Sequence, residues 1–257
     1  MKRSGIACAC LAAVVLSNPA SQAAGKWSWD VTPYIWASGV KADVSVNDEP
    51  AFGADATFPD LIDKVDIAGM LHFEGRRGKA GFFTDAIFIS LTDEDTLSSN
   101  PPLPGGTEVH ADSDLGLYEA GGFYRLQDAK TGLDILLGVR LTDLTNTLTF
   151  DVPAPISARV EEEGSGTYTD AIIGARYSAP MGKRWTFALR ADAGFGDTKS
   201  AWNGVASFGF TCDAKERYRL RMGYRYFKTE LESHHGNVDV ENDMTLLGPY
   251  LGFGFVF

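Results

Sequence analysis

Trp185-Thr186-Phe187-Ala188-Leu189-Arg190-Ala191-Asp192-Ala193-Gly194-Phe195 alternates from end to end. Trp185, Phe187, Leu189, Ala191, Ala193 and Phe195 share one parity, and Thr186, Ala188, Arg190, Asp192 and Gly194 the other. Successive side chains of a strand point to opposite faces, so the segment has one apolar face and one bearing an arginine and an aspartate. Leu133–Leu141 repeats the pattern, with Leu133, Ile135, Leu137, Val139 and Leu141 against Asp134, Leu136, Gly138 and Arg140. So does Tyr218–Phe227, where Tyr218, Leu220, Met222, Tyr224 and Tyr226 alternate with Arg219, Arg221, Gly223 and Arg225.

Seven further segments keep a period of two with more interruptions: Trp27–Asp43, Val65–Arg76, Gly81–Leu91, Leu115–Leu126, Thr167–Ser178, Ala201–Phe210 and Met244–Phe257. In Gly81–Leu91 and Ala201–Phe210 the two faces look alike. The total is about ten strands, with eight and twelve as the neighbouring even counts. Each is near or above the roughly 9–11 residues that a tilted strand needs to cross a bilayer. No long helical pattern interrupts the series.

The connections alternate in length. Arg77-Gly78, Gln127–Gly132, Pro180–Lys183 and Asp213–Arg217 are short and turn-rich, whereas Val44–Lys64, Thr92–Ala111, Asn146–Gly164 and Lys228–Asp243 are long. Asp197–Ser200 is the short exception on the long side. The four long connections hold 18 Asp and Glu against Lys64, Arg159 and Lys228. The short ones are mostly basic, with Arg76, Arg77, Lys79, Lys130, Lys183, Arg184, Lys215 and Arg217. Short turns on one side and long loops on the other are the layout of outer-membrane barrels, with periplasmic turns and extracellular loops.

Composition narrows the classes. The 257 residues carry a net charge of −11 and a pI near 4.8, which excludes a general nucleic-acid binder, since a phosphate backbone requires a basic face. Mean hydropathy is −0.10 and no apolar run approaches the ~18 residues of a helical span. An aromatic content of 12% excludes a disordered chain. Residues 1–24 read as a signal peptide: a basic Met1-Lys2-Arg3, an apolar stretch from Ile6 to Leu16, and a small-x-small cleavage site at Ser21-Gln22-Ala23. Cys8 and Cys10 leave with it, so residues 25–257 form one domain whose only cysteine, Cys212, has no disulfide partner within the chain.

The reading is an all-β, closed antiparallel transmembrane β-barrel. Alternation alone does not orient the faces, because a soluble lipocalin-like barrel has the same period with its apolar side inward. Three features favour apolar outward. The long strands outnumber those needed around one small cavity. Arginine and aspartate share a face, which suits a closed interior where they pair. The chain also ends Pro249-Tyr250-Leu251-Gly252-Phe253-Gly254-Phe255-Val256-Phe257, with Leu251, Phe253, Phe255 and Phe257 on one face.

That ending resembles the assembly signal of Gram-negative outer-membrane proteins, which implies recognition by the barrel-assembly machinery and an outer-membrane location. The mature chain resembles a widespread, poorly characterised family of small outer-membrane β-barrel proteins from proteobacteria. The resemblance lies in Trp29-Asp30-Val31-Thr32-Pro33-Tyr34-Ile35-Trp36-Ala37-Ser38-Gly39, Leu71-His72-Phe73-Glu74-Gly75-Arg76-Arg77-Gly78, Phe83-Thr84-Asp85, Gly138-Val139-Arg140, Gly223-Tyr224-Arg225-Tyr226 and Gly248-Pro249-Tyr250-Leu251-Gly252. It implies a fold and a location, and no chemistry.

Candidate functional residues lie on the inward face. A weak repeat runs through Glu119–Arg125, Asp134–Arg140 and Asp170–Arg176, each an acid followed six residues later by arginine on the same face of a strand. With Arg190, Asp192, Arg219, Arg221 and Arg225 these groups would build a charged lumen, in which buried charges need partners. His72 with Glu74 is the best interior acid–base pair. His234-His235 sits among acidic residues, but adjacent histidines on a loop are a poor metal site. Neither a metal site nor a catalytic residue is assigned, and no cofactor is expected. The expected partners are outer-membrane lipid and lipopolysaccharide, with loosely bound divalent cations at the acidic loops. Pro33 and Pro249, in the first and last strands, are expected to face each other at mid-membrane height and disturb the closing seam.

Three function classes remain: a structural or interaction barrel without catalysis, a narrow pore for small solutes, and an outer-leaflet lipid-modifying or proteolytic enzyme. Independently of the class, the apolar ring of Phe257 should support assembly. Deleting Phe257 is expected to lower the amount of heat-modifiable folded barrel in cell envelopes, as read on unboiled SDS gels; equal amounts would contradict the assembly signal.

Overall fold

The structure is a computed structural model, and it describes residues 25–46, 49–97, 107–126, 131–153, 158–235 and 238–257. The signal-peptide segment 1–24 lies outside them. In chain order the elements are β1 (Ser28–Trp36), β2 (Gly39–Val46), β3 (Glu49–Ala56), α1 (Phe58–Leu61), a 3-10 turn (Ile62–Lys64), β4 (Val65–Arg77), β5 (Ala80–Leu97) and β6 (Thr107–Arg125). There follow β7 (Gly132–Val152), β8 (Ala158–Met181), β9 (Trp185–Gly196), β10 (Ser200–Thr211), β11 (Tyr218–His235) and β12 (Val238–Val256). β1 and β4 to β12 pair antiparallel in sequence order, and β12 pairs with β1 to close a ten-stranded barrel. Closure leaves no free edge around the lower wall, the condition for a sheet in lipid.

The alternation orients as the apolar-out reading requires. Leu189, Leu137, Ile173, Phe208, Tyr224 and Leu251 are exposed on the outer wall, while Asp134, Arg140, Asp170, Asp192 and Arg225 are buried inside. Near the short-turn end the outer wall carries a belt of packed aromatics. Trp29 stacks on Trp27 and Phe73 with ring centroids 5.1 and 5.7 Å apart, and Tyr218, Phe253 and Phe255 cluster at 5.3–6.1 Å. Such rings prefer the boundary between hydrocarbon and water.

Two features differ from the sequence reading. Much of the long connections is strand: β7 runs for 21 residues and β8 for 24, about twice a membrane crossing. The wall therefore continues as a paired collar beyond the membrane, where its outer face no longer has to be apolar. The first strand is also broken. At Ala37-Ser38 β1 gives way to β2, which pairs with β12 over Gly39–Val46 and turns back as β3.

The prolines do not face each other. Tyr34 lies opposite Gly252, which puts Pro33 opposite position 253, four residues along β12 from Pro249 and so about 13 Å away. Pro249 instead pairs with Tyr224 on β11 and accepts a hydrogen bond from the Ala37 N–H through its carbonyl (2.9 Å). Pro33 has its own effect: the β1–β12 ladder is interrupted between Val31 and Tyr34, and the β1–β4 ladder ends at the Pro33–Leu71 pair. Above that pair, among the described residues, β1 and the start of β4 are no longer joined by ladder hydrogen bonds. The Trp36 N–H points at the Met70 sulfur instead (3.1 Å). The prolines thus share no seam defect: Pro33 alone interrupts the closing β1–β12 ladder, and a break on the β4 side of β1 adds to it.

Gly248 lets the β1–β2 break pass close by. A Cβ there would collide with the Ala37 carbonyl oxygen and the Ser38 backbone, neither of which can rotate away. Gly248→Val should therefore reduce the yield of heat-modifiable barrel on refolding. Gly204→Val, where an added Cβ meets nothing within 4 Å, should refold like the wild type.

Candidate functional site: the charged lumen

The six-residue spacing of acid and arginine has a geometric consequence in an antiparallel sheet. Within one strand the two groups stand about 20 Å apart and do not touch. Across strands the order is mirrored, so each acid meets the arginine of its neighbour. Glu119 lies opposite Arg140 and Arg125 opposite Asp134 on β6 and β7; Asp134 lies opposite Arg176 and Arg140 opposite Asp170 on β7 and β8. Two tiers of charge result, one near mid-lumen and one towards the short turns.

In the middle tier Arg140 is fully buried and donates to Glu119 (3.0 and 2.7 Å) and to Asp192. Glu119 also accepts from Arg190 (2.7 Å) and Arg225 (3.3 Å). Asn203 donates to Asp192 (2.8 Å) and accepts from Arg225 (3.0 Å). Arg225 reaches Asp85 (3.0 Å), which also accepts from the Tyr34 hydroxyl (2.7 Å). Seven strands, β1, β5, β6, β7, β9, β10 and β11, are thereby tied across the lumen by side chains.

The lower tier centres on Asp134, which is fully buried and accepts from Arg125 (2.7 Å), Arg76 (3.0 Å) and Arg176 (3.0 Å). Arg176 also grips Glu74. Nearer the short turns Asp30 takes Arg221 and lies 3.7 Å from Arg219. Aromatic faces support the guanidinium groups, Phe123 and Phe83 from between the tiers and Trp36 from above. Arg76 and Arg176 lie over Phe123 (4.6 and 4.8 Å), Arg190 over Phe83 (4.9 Å) and Arg225 over Trp36 (5.2 Å).

Two of the sequence-derived residues have other partners than their spacing implied. Among the described residues Asp170 forms no ion pair: it accepts the backbone N–H and hydroxyl of Thr198 (3.2 and 2.9 Å), pinning the short turn between β9 and β10 to the barrel. His72 lies nearer to Asp85 (3.1 Å) than to Glu74 (3.8 Å). His234 and His235 end β11, and their side chains lie outside the described residues. Sequence reasoning missed Asp30, Tyr34, Arg76, Asp85, Thr198 and Asn203. The parity of Trp36, Tyr34, Thr32 and Asp30 was available for the first strand. For Asp85 and Asn203 the two strand faces were too alike to orient.

Above the middle tier the buried inward side chains are apolar apart from threonines such as Thr142 and Thr229. Trp36, Ile87, Leu115, Leu117, Phe227, Met244 and Leu246 are buried together there. Below it lies a cavity of about 440 Å³ that reaches the short turns and includes Ser28, His72, Arg219, Arg221 and Tyr250 in its lining. Among the described residues, buried side chains pack together in the long-strand half of the lumen, and the other half holds this cavity.

At the outer rim, Lys199 in the β9–β10 turn donates to Glu241 (2.8 Å) and Glu232 (3.2 Å). The bond to Glu241, then that to Glu232, holds the ammonium above the usual lysine range. Among the described residues no group of three His, Cys, Asp or Glu side chains is placed to hold a metal ion.

A closed barrel of tilted antiparallel strands, with an apolar aromatic-belted exterior, a charged interior and short turns at one end, is the architecture of the outer membrane of Gram-negative bacteria. The chain is an outer-membrane barrel, with its short turns on the periplasmic side. No protein-family model and no curated protein matches it. Among solved structures it is similar to the outer membrane protease OmpT from Escherichia coli, at 10% identity over 90% of this chain and 96% of that one, with a TM-score of 0.46. It is also similar to the translocator domain of the autotransporter NalP from Neisseria meningitidis, at 10% identity over 89% and 88%, TM-score 0.42. A third is Ail, the attachment invasion locus protein of Yersinia pestis, at 12% identity over 90% and 98%, TM-score 0.35. Likenesses of this size assign no function.

Removing Arg140 leaves three buried carboxylates, Glu119, Asp192 and Asp85, with two arginines, and an uncompensated buried charge costs about 3–5 kcal/mol. Arg140→Met should therefore unfold from micelles at markedly lower urea, followed by tryptophan fluorescence. Combining it with Glu119→Gln and Asp192→Asn should recover part of the loss.

Proposed function

We propose that this chain is a non-conducting outer-membrane barrel with a structural or interaction role and no catalysis. The observation that carries this reading is a charge-balanced ionic tier lying beneath a layer of buried apolar side chains. A hydrated ion crossing the barrel would have to displace both. The acidic collar supports a role at the outer face, where carboxylates would gather divalent cations beside lipopolysaccharide phosphates. The resemblance to small proteobacterial outer-membrane barrels supports the same reading, as does a C-terminal pattern suited to the barrel-assembly machinery.

Two other readings are weaker. A solute pore needs a continuous wet path, which the apolar upper lumen interrupts. An outer-leaflet enzyme needs a nucleophile or base near the outer rim. The His72–Asp85 contact lies below the apolar layer instead, and among the described residues no Ser, Thr or Cys side chain hydrogen-bonds to His72.

Planar-bilayer recording of refolded protein tests the proposal. The wild type should give no steady open channel, and Arg140→Met combined with Glu119→Gln should raise leakage. Long-lived, large-conductance openings in the wild type would overturn the reading.

A further inference from the structure

We propose that the periplasmic half of the lumen is a blind binding site for a small soluble polyanion bearing carboxylate or phosphate groups. The cavity of about 440 Å³ falls within the range of small-molecule sites. Its roof includes Tyr34, Asp85, Arg190 and Arg225 of the middle tier, and its mouth lies beside Ser28, Gly209, Arg219 and Val256, next to the short turns. Entry is therefore from the periplasm.

Charge selects the ligand. In the roof, Arg140, Arg190 and Arg225 balance Glu119, Asp192 and Asp85 one for one. In the cavity below, among the described residues, Arg76, Arg125, Arg176, Arg219 and Arg221 form their ion pairs with Asp30, Glu74 and Asp134, and Glu216 near the mouth acts on Arg219 from farther away. Within these ion pairs arginines outnumber carboxylates by two, in a space walled by protein and lipid where their field is weakly screened.

Unused donors mark where an anion would bind. Arg219 makes no hydrogen bond among the described residues. Its nearest carboxylate, Asp30 at 3.7 Å, already accepts from Arg221 and from the Thr32 hydroxyl. Independently, the Arg221 Nε is buried without a partner. A guanidinium fork with free N–H groups matches the paired oxygens of a carboxylate or phosphate. Ser178, Thr186 and Ser207 place hydroxyl groups along the same cavity, which suits an organic anion with further polar groups better than a bare halide. The excess of two charges favours a ligand with at least two anionic groups.

Calorimetry on refolded protein in zwitterionic micelles at low, constant chloride tests this, with citrate and pyrophosphate as probes. Saturable one-site binding of either, weakening as salt rises, is expected. Arg219→Gln with Arg221→Gln should lower the affinity about tenfold or more while heat-modifiability persists. No binding of either probe up to about 10 mM, or equal binding by the double variant, would overturn the proposal. A second measurement does not depend on that variant folding. In a Cys212→Ser background, Ser207→Cys should react with a small anionic thiol reagent, and citrate should protect it; an unchanged rate would count against the site. Channel recordings bear only on conduction, so the two proposals fail separately.

Discussion

The contact of the Arg140 guanidinium with the Glu119 and Asp192 carboxylates holds the barrel's interior together. A ten-stranded wall encloses a lumen too wide to be filled as an aliphatic core of a narrower barrel is filled, and too narrow to leave each charge its own hydration. Charges set inside must therefore find each other. The mirrored acid–arginine spacing makes that automatic: once β6, β7 and β8 are in register, opposite charges stand side by side without any long-range search. A one-residue slip would turn every one of them into lipid, so the same spacing also fixes the register.

The pairing explains why the lumen is sorted by height. Where arginines stack on Phe123 and Phe83, the aromatic rings fill the space between tiers, and Trp36 covers Arg225 from above. Above them the inward positions become aliphatic and aromatic, and below them hydrated and basic. Each face of the membrane thus meets a different interior through one continuous wall.

Much of the architecture could be read in the order of residues, and the reasons for the rest are physical. Trp185–Phe195 and Tyr218–Phe227 are legible because lipid outside and charge inside give the two faces maximal contrast. Gly81–Leu91 and Ala201–Phe210 lose that contrast because their inward positions, Phe83, Ile87, Ala201 and Val205, are themselves apolar or small. Asp85 and Asn203 stayed hidden among them. Past the membrane the outer face is free to be polar, so the upper halves of β7 and β8 look like loops although they are paired strands. The two prolines were legible as irregularities, but their relative height depends on a register that no local pattern contains.

The break beside β1 has a mechanical meaning. A closed barrel resists being stretched around its circumference because every strand is tied to both neighbours by backbone hydrogen bonds. Between Pro33 and the β1–β2 break that hoop is open on the β4 side, and a tryptophan amide resting on a methionine sulfur spans it instead. Circumferential load at that height falls on side-chain packing, which yields sooner than a ladder. The wall therefore has one compliant meridian, beside outward-facing Ile35 and Ile67, and bilayer thinning or lateral tension would part the barrel there first.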